Sequence, residues 1–335
     1  MVGKLTDSKF VSASEIPALL GHNPWQSING LQASKMDARA GVEAPPLVSE
    51  AADLGDLFEP VIGHEALRRL GMSGRRPVGE ISGVMTVPQA KVCPDKSINL
   101  QASLDGIVLG KGETISHDPE MGIYVMTDTG QITLTGHGPL EVKMTGAAPE
   151  DEPAMHRGPL QLQAQMMCLP AKWGVIAVLY GGRGGHQIRV FCYEEHHEVQ
   201  TLIKTSILDM EDRIANGSWL DLENPAEAAM IHDKVEDDDM PPLLLPHEML
   251  DIVRSVADAR AATKACQKII DEGSAAIMQQ MGNHSTALIQ GEDIRYRISW
   301  PMRHVKAKPE KIVPAVSPSS ARQKTISIKE EEIHA

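Results

Sequence analysis

Several kinds of residue and segment are scarce in this chain of 335 residues, and each scarcity excludes a class of protein. Aromatic residues make up only 3%, so Leu, Ile, Val and the 17 Met residues must fill the core. No apolar run approaches the roughly 18 residues that a membrane span needs, and we expect no membrane association. The four Cys residues lie far apart without a CxxC pair. This spacing disfavours zinc or iron–sulfur ligation by neighbouring cysteines and favours a reducing cytoplasm.

The chain also lacks a basic excess, because its formal net charge is −13. Phosphate binding needs cations, so this charge by itself speaks against a nucleic-acid partner. Part of the acidity is concentrated in the block 236–239, however, within a linker-like stretch. A catalytic metal site also requires carboxylates, and the bound cation inverts the local field. Net charge therefore excludes neither a nucleic acid nor a metal.

Hydrophobic residues make up 42% of the chain and charged residues 23%, which is typical of an ordinary folded protein. Their spacing predicts an α/β fold with a mixed central sheet flanked by helices. The predicted helices lie at 12–20, 51–70, 156–168, 194–216 and 246–281. The predicted strands lie at 81–87, 100–109, 122–126, 131–135, 139–144, 174–180 and 186–193. Asp128 and Gly130 favour a hairpin between the third and fourth strands, and the glycines of 181–185 favour another between the last two.

Composition shifts divide the chain into four parts. The first 220 residues contain the alternating helices and strands and form one predicted domain. An acidic linker is predicted over 221–244, and a helical accessory region with a possible strand pair over 245–306. The tail at 307–335 is rich in Pro, Ser, Lys and Glu, and we expect it to be disordered.

The most informative segment is Leu140-Glu141-Val142-Lys143, because strand alternation places Glu141 and Lys143 on one face. Asp105 lies in another hydrophobic stretch, where a charge is costly unless it is paired or bound to a metal. Two carboxylates and an amine at the edge of a core can bind a hard cation and activate water. The alternative is a turn at Asp105 and a surface ion pair on an edge strand.

Further candidates lie on the predicted helices. Glu59 stands amid apolar residues and could supply another ligand, although an exposed helical Glu is the alternative. Gln161 and Gln165 are spaced i, i+4 and share one helix face, so their amides could bind a phosphate, a base edge or a water. A polar helix surface is the alternative. Ser14 with Lys9 could form an anion site at a helix start, or Ser14 could be a simple N-cap.

Taken in order, these motifs resemble the YqaJ-type viral recombinase family. That family includes the lambda-type phage exonucleases and belongs to the PD-(D/E)xK nuclease superfamily. The matching stretches are Ser12-Ala13-Ser14-Glu15-Ile16 with Leu20-Gly21 and Asn23-Pro24-Trp25, Gly55-Asp56-Leu57-Phe58-Glu59-Pro60, Ser103-Leu104-Asp105-Gly106, Leu140-Glu141-Val142-Lys143 and Gln161-Leu162-Gln163. The resemblance implies a restriction-endonuclease-like core over the first domain.

The resemblance also implies a role for each of the catalytic residues. Asp105, Glu141 and the Val142 carbonyl would bind Mg²⁺, which Mn²⁺ could replace, and Glu59 would complete the acidic cluster. Lys143 would orient or deprotonate the attacking water.

The remaining roles concern the substrate and the support of the site. Gln161 would help to hold the site and the substrate. Ser14 matches a serine near a 5′-phosphate pocket, with Lys9 as the nearby cation, and Gln165 is a further expected substrate contact.

The activity implied is a 5′→3′ exonuclease on double-stranded DNA, in phage recombination inside a bacterial host cell. A single-strand annealing protein is the expected partner, and a homo-oligomeric ring the expected assembly. A structure-specific endonuclease and a non-catalytic DNA-binding recombination scaffold are the alternatives. The sequence departs from the family pattern in three places: Leu104 replaces a proline, Gly158 replaces an aromatic residue, and 110–138 is inserted between Asp105 and Glu141.

Overall fold

The computed structural model describes residues 6–42, 49–72, 84–85, 90–182, 185–222, 224–231, 243–290 and 295–300. The chain divides into two compact units, Met1–Ile231 and His232–Ala335. The predicted tail at 307–335 lies outside the described residues, as does most of the predicted strand at 81–87. The predicted domain boundaries stay predictions.

The first unit opens with a strand, a 3-10 turn and three helices. They are β1 (Val11–Ser12), the turn Ala13–Glu15, α1 (Ile16–Leu19), α2 (Ile28–Arg39) and α3 (Glu50–Arg69). The predicted helix start is confirmed, because the N–H and hydroxyl of Ser12 both donate to Glu15 Oε2, at 2.9 and 2.8 Å. Ser12 rather than Ser14 is thus the capping residue. Helix α3 matches the predicted 51–70 and continues through Pro60.

Most of the following strands belong to one mixed sheet. In chain order they are β2 (Val84–Met85), β3 (Lys91–Val92), β4 (Leu100–Ala102), β5 (Gly106–Ser116), β6 (Ile123–Val125), β7 (Gln131–Thr145), β8 (Trp173–Tyr180) and β9 (Gln187–Glu194). The six-stranded sheet has the order β2-β5-β7-β8-β9-β6, and a smaller sheet has the order β1-β4-β3. Strand β7 runs antiparallel to β5 and parallel to β8, and β6 is parallel to β9.

Three strand predictions need correction. The predicted strand 100–109 is split, because β4 and β5 enter different sheets and Ser103-Leu104-Asp105 links them. The predicted strands 131–135 and 139–144 form the single strand β7. The hairpin predicted around Asp128 and Gly130 was wrong: β6 pairs with β9 and β7 pairs with β5. The chain does turn at 127–130. The turn does not decide which strands pair, because the pairing of a strand depends on how its side chains pack within the whole sheet. The predicted hairpin of β8 with β9 is confirmed.

Helices cover both faces of the large sheet. The remaining helices of this unit are α4 (Pro159–Cys168), α5 (His197–Asn216) and α6 (Pro225–Ile231). On one face Leu67 of α3 packs in a cluster with Val175 of β8, and on the other Leu162 of α4 packs with Ile176. Strand β8 is therefore buried on both faces, as a central strand with a parallel neighbour should be. The predicted α/β class with a mixed central sheet is confirmed.

The second unit contains α7 (Met249–Met281) and the antiparallel hairpin of β10 (Thr286–Gln290) with β11 (Arg295–Ser299). The predicted long helix and strand pair are thus confirmed. Helix α6 lies inside the predicted linker and belongs to the first unit, where Asn29 Nδ2 donates to Glu227 Oε2 at 3.4 Å. Among the described residues, no helix combines the length and the apolar character that crossing a membrane requires.

Candidate active site

The pairing of β5 with β7 brings the two predicted metal-binding carboxylates together. Gly106 pairs with Leu140, so one further step along both strands places Asp105 opposite Glu141. The residues between them extend the two strands into a long ribbon that ends at the pair Ser116 and Gln131. The insertion at 110–138 therefore extends β5 and β7 in the direction away from the carboxylates. The distance between Asp105 and Glu141 depends on the register of the two strands and not on the length of the insertion.

Asp105 is held at the point where β5 begins. Its Oδ2 accepts a hydrogen bond of 2.7 Å from the Val142 main-chain N–H, which continues the contact between the two strands. Burial raises the pKa of Asp105 well above its usual range, and the charges of Glu141 and Glu59 raise it further. The hydrogen bond to Val142 and the effect of burial on the pKa are inconsistent with the alternative of a simple surface turn at Asp105.

Glu141 and Lys143 lie on the same face of β7, as strand alternation predicts. Glu141 is only 2% exposed, and its Oε1 forms an ion pair with Lys143 Nζ. Strand β7 lies between β5 and β8, so the alternative of a surface ion pair on an edge strand is excluded. Burial acts to lower the pKa of Lys143, but the charge and hydrogen bond of Glu141 together with the charges of Asp105 and Glu59 outweigh it, and the net direction is upward. Lys143 is therefore a protonated ammonium at neutral pH in this arrangement.

Two amides of α4 hold the Glu141 carboxylate. Gln161 Nε2 donates to Glu141 Oε1 at 2.7 Å, and Gln165 Nε2 donates to the other oxygen, Oε2. Both glutamines are buried, at 8% and 0% exposure, so the alternative of a polar helix surface is excluded. The i, i+4 spacing predicts that the two amides act together, but it does not predict that they face a strand carboxylate.

The start of α4 depends on Gly158, one of the positions at which the sequence departs from the pattern of the family that it resembles. Gly158 has φ +129, a conformation that side-chain-bearing residues rarely adopt, and Pro159 follows as the first helical residue. A Cβ at Gly158 would lie 3.0 Å from the Ile176 side chain. A larger residue there would strain the backbone and would require the Ile176 side chain to shift, so glycine suits the start of the helix that carries Gln161.

Glu59 reaches the same cluster from α3, on the other face of the sheet. It is partly buried, and burial raises its pKa, followed by the charges of Asp56 and Glu141, while Lys143 opposes the rise. Glu59 is therefore close enough to interact electrostatically with Glu141, Lys143 and Asp105.

The cluster has the charge and donor chemistry that suit a hard cation. The carboxyl groups of Glu59, Asp105 and Glu141 lie near one ammonium, and the charges of Glu141 and Glu59 add to the effect of burial in raising the pKa of Asp105. Oxygen donors of this kind are the ligands that Mg²⁺ prefers. Within the described ranges, however, no three His, Cys, Asp or Glu side chains are already arranged around one point as metal ligands. Glu141 is instead engaged by Lys143 and the two amides.

Comparisons with known proteins give structural neighbours only. No family model matches the chain, and no curated protein does so. Solved structures do match. This chain is similar to LHK-Exo, an alkaline exonuclease from Laribacter hongkongensis, at 16% identity and a TM-score of 0.42. A second structure, LHK-Exo in complex with dAMP, matches at 15% identity and the same TM-score.

Each match covers 63% of this chain and 90% of LHK-Exo. The neighbour is an exonuclease, the class of enzyme that the sequence motifs resemble. At this identity and TM-score the likeness carries no functional assignment, so the function of this chain has to follow from its own residues.

Of the two residues predicted near the 5′-phosphate, Ser14 lies on an element that contacts α4, and Lys9 precedes β1. Ser14 is exposed in the 3-10 turn, which packs against α4, and its hydroxyl lies 3.1 Å from that of Ser12. Lys9 is exposed, and its main-chain N–H donates to Asp7 Oδ1 at 3.0 Å. Their role in substrate binding stays a prediction, as does that of Gln165.

Sequence reasoning missed a buried ion pair that supports the same turn. Lys35 of α2 is 1% exposed, and its Nζ lies 2.6 Å from Glu15 Oε2. Glu15 thus accepts from both Ser12 and Lys35. The spacing of Ser12 and Glu15 signals a capping box, but no local pattern identifies Lys35 as the partner.

Proposed function

We propose that this protein is a metal-dependent deoxyribonuclease whose reaction takes place at Asp105, Glu141 and Lys143. The observation that carries the proposal is the placement of Asp105 opposite Glu141, with the Lys143 ammonium on Glu141. A carboxyl group whose pKa is raised by burial, such as that of Asp105, beside a second carboxylate and a lysine is costly for folding and is typical of a functional site. A purely structural ion pair would not need the additional charge of Glu59.

The proposed cofactor is Mg²⁺, with Mn²⁺ as a substitute. Asp105, Glu141 and the Val142 carbonyl would hold it, and Glu59 would complete the acidic set. When bound, the ion supplies a more acidic water and neutralises charge on the phosphate. It would also offset the repulsion from Glu141 and Glu59, which adds to the effect of burial in raising the pKa of Asp105.

The other residues have roles that follow from their contacts. The pKa of Lys143 is raised, which favours an orienting role, with its ammonium donating to the water or to a phosphate oxygen. Gln161 keeps Glu141 in place through its hydrogen bond to Oε1. Lys143 would thus act on the reacting groups without having to lose a proton first, and Gln161 would act through Glu141.

At a finer level we propose a 5′→3′ exonuclease on double-stranded DNA, with Ser14 and Lys9 near the 5′-phosphate. The support is the resemblance of the sequence motifs together with the exposure of Ser14 on a turn that packs against α4. A role in phage recombination, an annealing-protein partner and a ring-shaped homo-oligomer belong to the same proposal.

Digestion of linear duplex DNA labelled at the 5′ or the 3′ end tests the proposal. We expect nucleotides to be released from the 5′ label first, with Mg²⁺ and not in EDTA. E141Q should abolish the release, because an amide replaces the carboxylate without a change of shape. Circular dichroism of E141Q should match the wild type.

Each of the other outcomes would indicate a different function. Cleavage of covalently closed circular DNA would establish an endonuclease, because an exonuclease needs an end. Binding of duplex without cleavage at any Mg²⁺ concentration would establish a recombination scaffold. Undiminished cleavage in EDTA would refute metal dependence.

A further inference from the structure

Gln165 contacts both segments that carry the proposed metal ligands. Its Nε2 donates to Glu141 Oε2 on β7 and, at 3.3 Å, to the Ser103 carbonyl, two residues before Asp105. One amide nitrogen therefore connects the strand that holds Glu141 with the link that holds Asp105. The side chain is 0% exposed, so it has no surface to offer to a DNA substrate.

The amide can lie in only one orientation. Both of its partners are acceptors, a carboxylate and a carbonyl, so the NH₂ group must face them. The Gln165 Oε1 then points the other way, where it is buried and has no hydrogen-bond partner. A buried acceptor without a donor is destabilising.

The neighbouring glutamines of α4 behave differently. Gln161 contacts Glu141 but not the link before Asp105. Gln163 is also buried, yet its Nε2 donates to the Glu194 carbonyl at 2.9 Å and its Oε1 accepts from the His196 N–H. Gln163 therefore satisfies both ends of its amide away from the carboxylates and serves as a matched structural control.

We propose that Gln165 is a positioning residue that sets the spacing of Asp105 and Glu141 for the site's divalent cation. It acts through Glu141 and the Ser103 carbonyl, and it contacts neither the DNA nor the reacting phosphate. This inference rests on the proposed function, and it replaces the substrate contact that the sequence predicts for Gln165 with a role inside the protein.

The test compares the full-length wild type with Q165M, Q165N and the control Q163M. Titration calorimetry with Mg²⁺ or Mn²⁺ alone, in the absence of DNA, measures the cation Kd. Loss of a group that orients metal ligands typically weakens metal binding or activity by about 10–100-fold. We expect at least about a tenfold rise in the Kd of both Gln165 variants. In cleavage assays kcat should fall while KM for DNA stays within about twofold.

Q163M should lower Tm but keep the wild-type cation Kd and kcat. If Q165M does not fold, Q165N decides the question, because it keeps a buried amide that is too short to bridge the two acceptors. A wild-type cation Kd in the folded Gln165 variants would overturn the inference. A rise in KM alone would also overturn it, in favour of substrate binding. A wild type that neither binds the cation nor cleaves DNA would refute the proposed function itself.

Discussion

The Val142 main-chain N–H donates to the Asp105 carboxylate at 2.7 Å, although the two residues are 37 positions apart in the sequence. This bond joins the start of β5 to the segment that carries Glu141 and Lys143. It makes the geometry of the candidate site a property of the strand register, and the register in turn depends on the packing of β7.

Lys143 should be required for cleavage and dispensable for folding. K143A removes the ammonium that is paired with Glu141, and loss of one such charge-stabilising donor typically costs 10²–10³ in rate. We expect cleavage of linear duplex DNA to fall by about 100-fold or more, with an unchanged circular dichroism spectrum. The Lys143 side chain is 32% exposed, so the core loses little.

K172A is the matched control, because Lys172 also forms an ion pair with a glutamate, Glu195, but is 76% exposed. Such surface pairs contribute about 0–1 kcal/mol. K172A should cleave at the wild-type rate. Equal losses in K143A and K172A would show that the effect is not specific to the site.

Gly138 should be needed for the packing of β7 just before Glu141. A Cβ at this position would lie 2.5 Å from the ring of Trp173, which is 2% exposed. Overpacking of this kind typically costs about 1–3 kcal/mol. G138A should therefore lower the free energy of unfolding by that amount in urea denaturation. In G146A the added methyl group meets open space, and its stability should equal that of the wild type.

Glu65 should make the stability of the first unit depend on pH in the acid range. The hydrogen bonds from Arg68 lower the pKa of Glu65 to about 2, against an ordinary value of 4.5, and Arg69 contributes to the same shift. Because the folded-state pKa is depressed, the stabilisation is fully present above pH 4.5. It is lost as the pH falls towards 2.

E65Q removes this pH-dependent contribution. The difference in Tm between wild type and E65Q should be largest near neutral pH and should vanish near pH 2. Arg69 also donates to the Met121 and Ile188 carbonyls, at 3.0 and 2.5 Å, so its position does not rest on Glu65 alone. A difference in Tm that stays constant between pH 7 and pH 2 would contradict the prediction.

Local sequence patterns were enough to predict the positions of the helices and the shared strand face of Glu141 and Lys143. The spacing of apolar residues identified α3, α4 and α5 within a few residues, because helix periodicity is a property of a short segment. Strand alternation likewise placed Glu141 and Lys143 on one side of β7. The prediction of a hairpin at 127–130 was wrong because a turn signal shows only where the chain reverses. Which strands pair is decided by strands that are distant in sequence, and β6 pairs with β9.

The sequence by itself determined the α/β class, the residue types of the candidate site and the order of its motifs, because these depend on short-range periodicity and residue chemistry. Only the tertiary structure decided that Asp105 stands opposite Glu141 and that the Gln165 amide connects their segments. Those relationships arise from strand register and from the packing of α4 on the sheet. Both are set by contacts between residues far apart in the chain, which no local pattern contains.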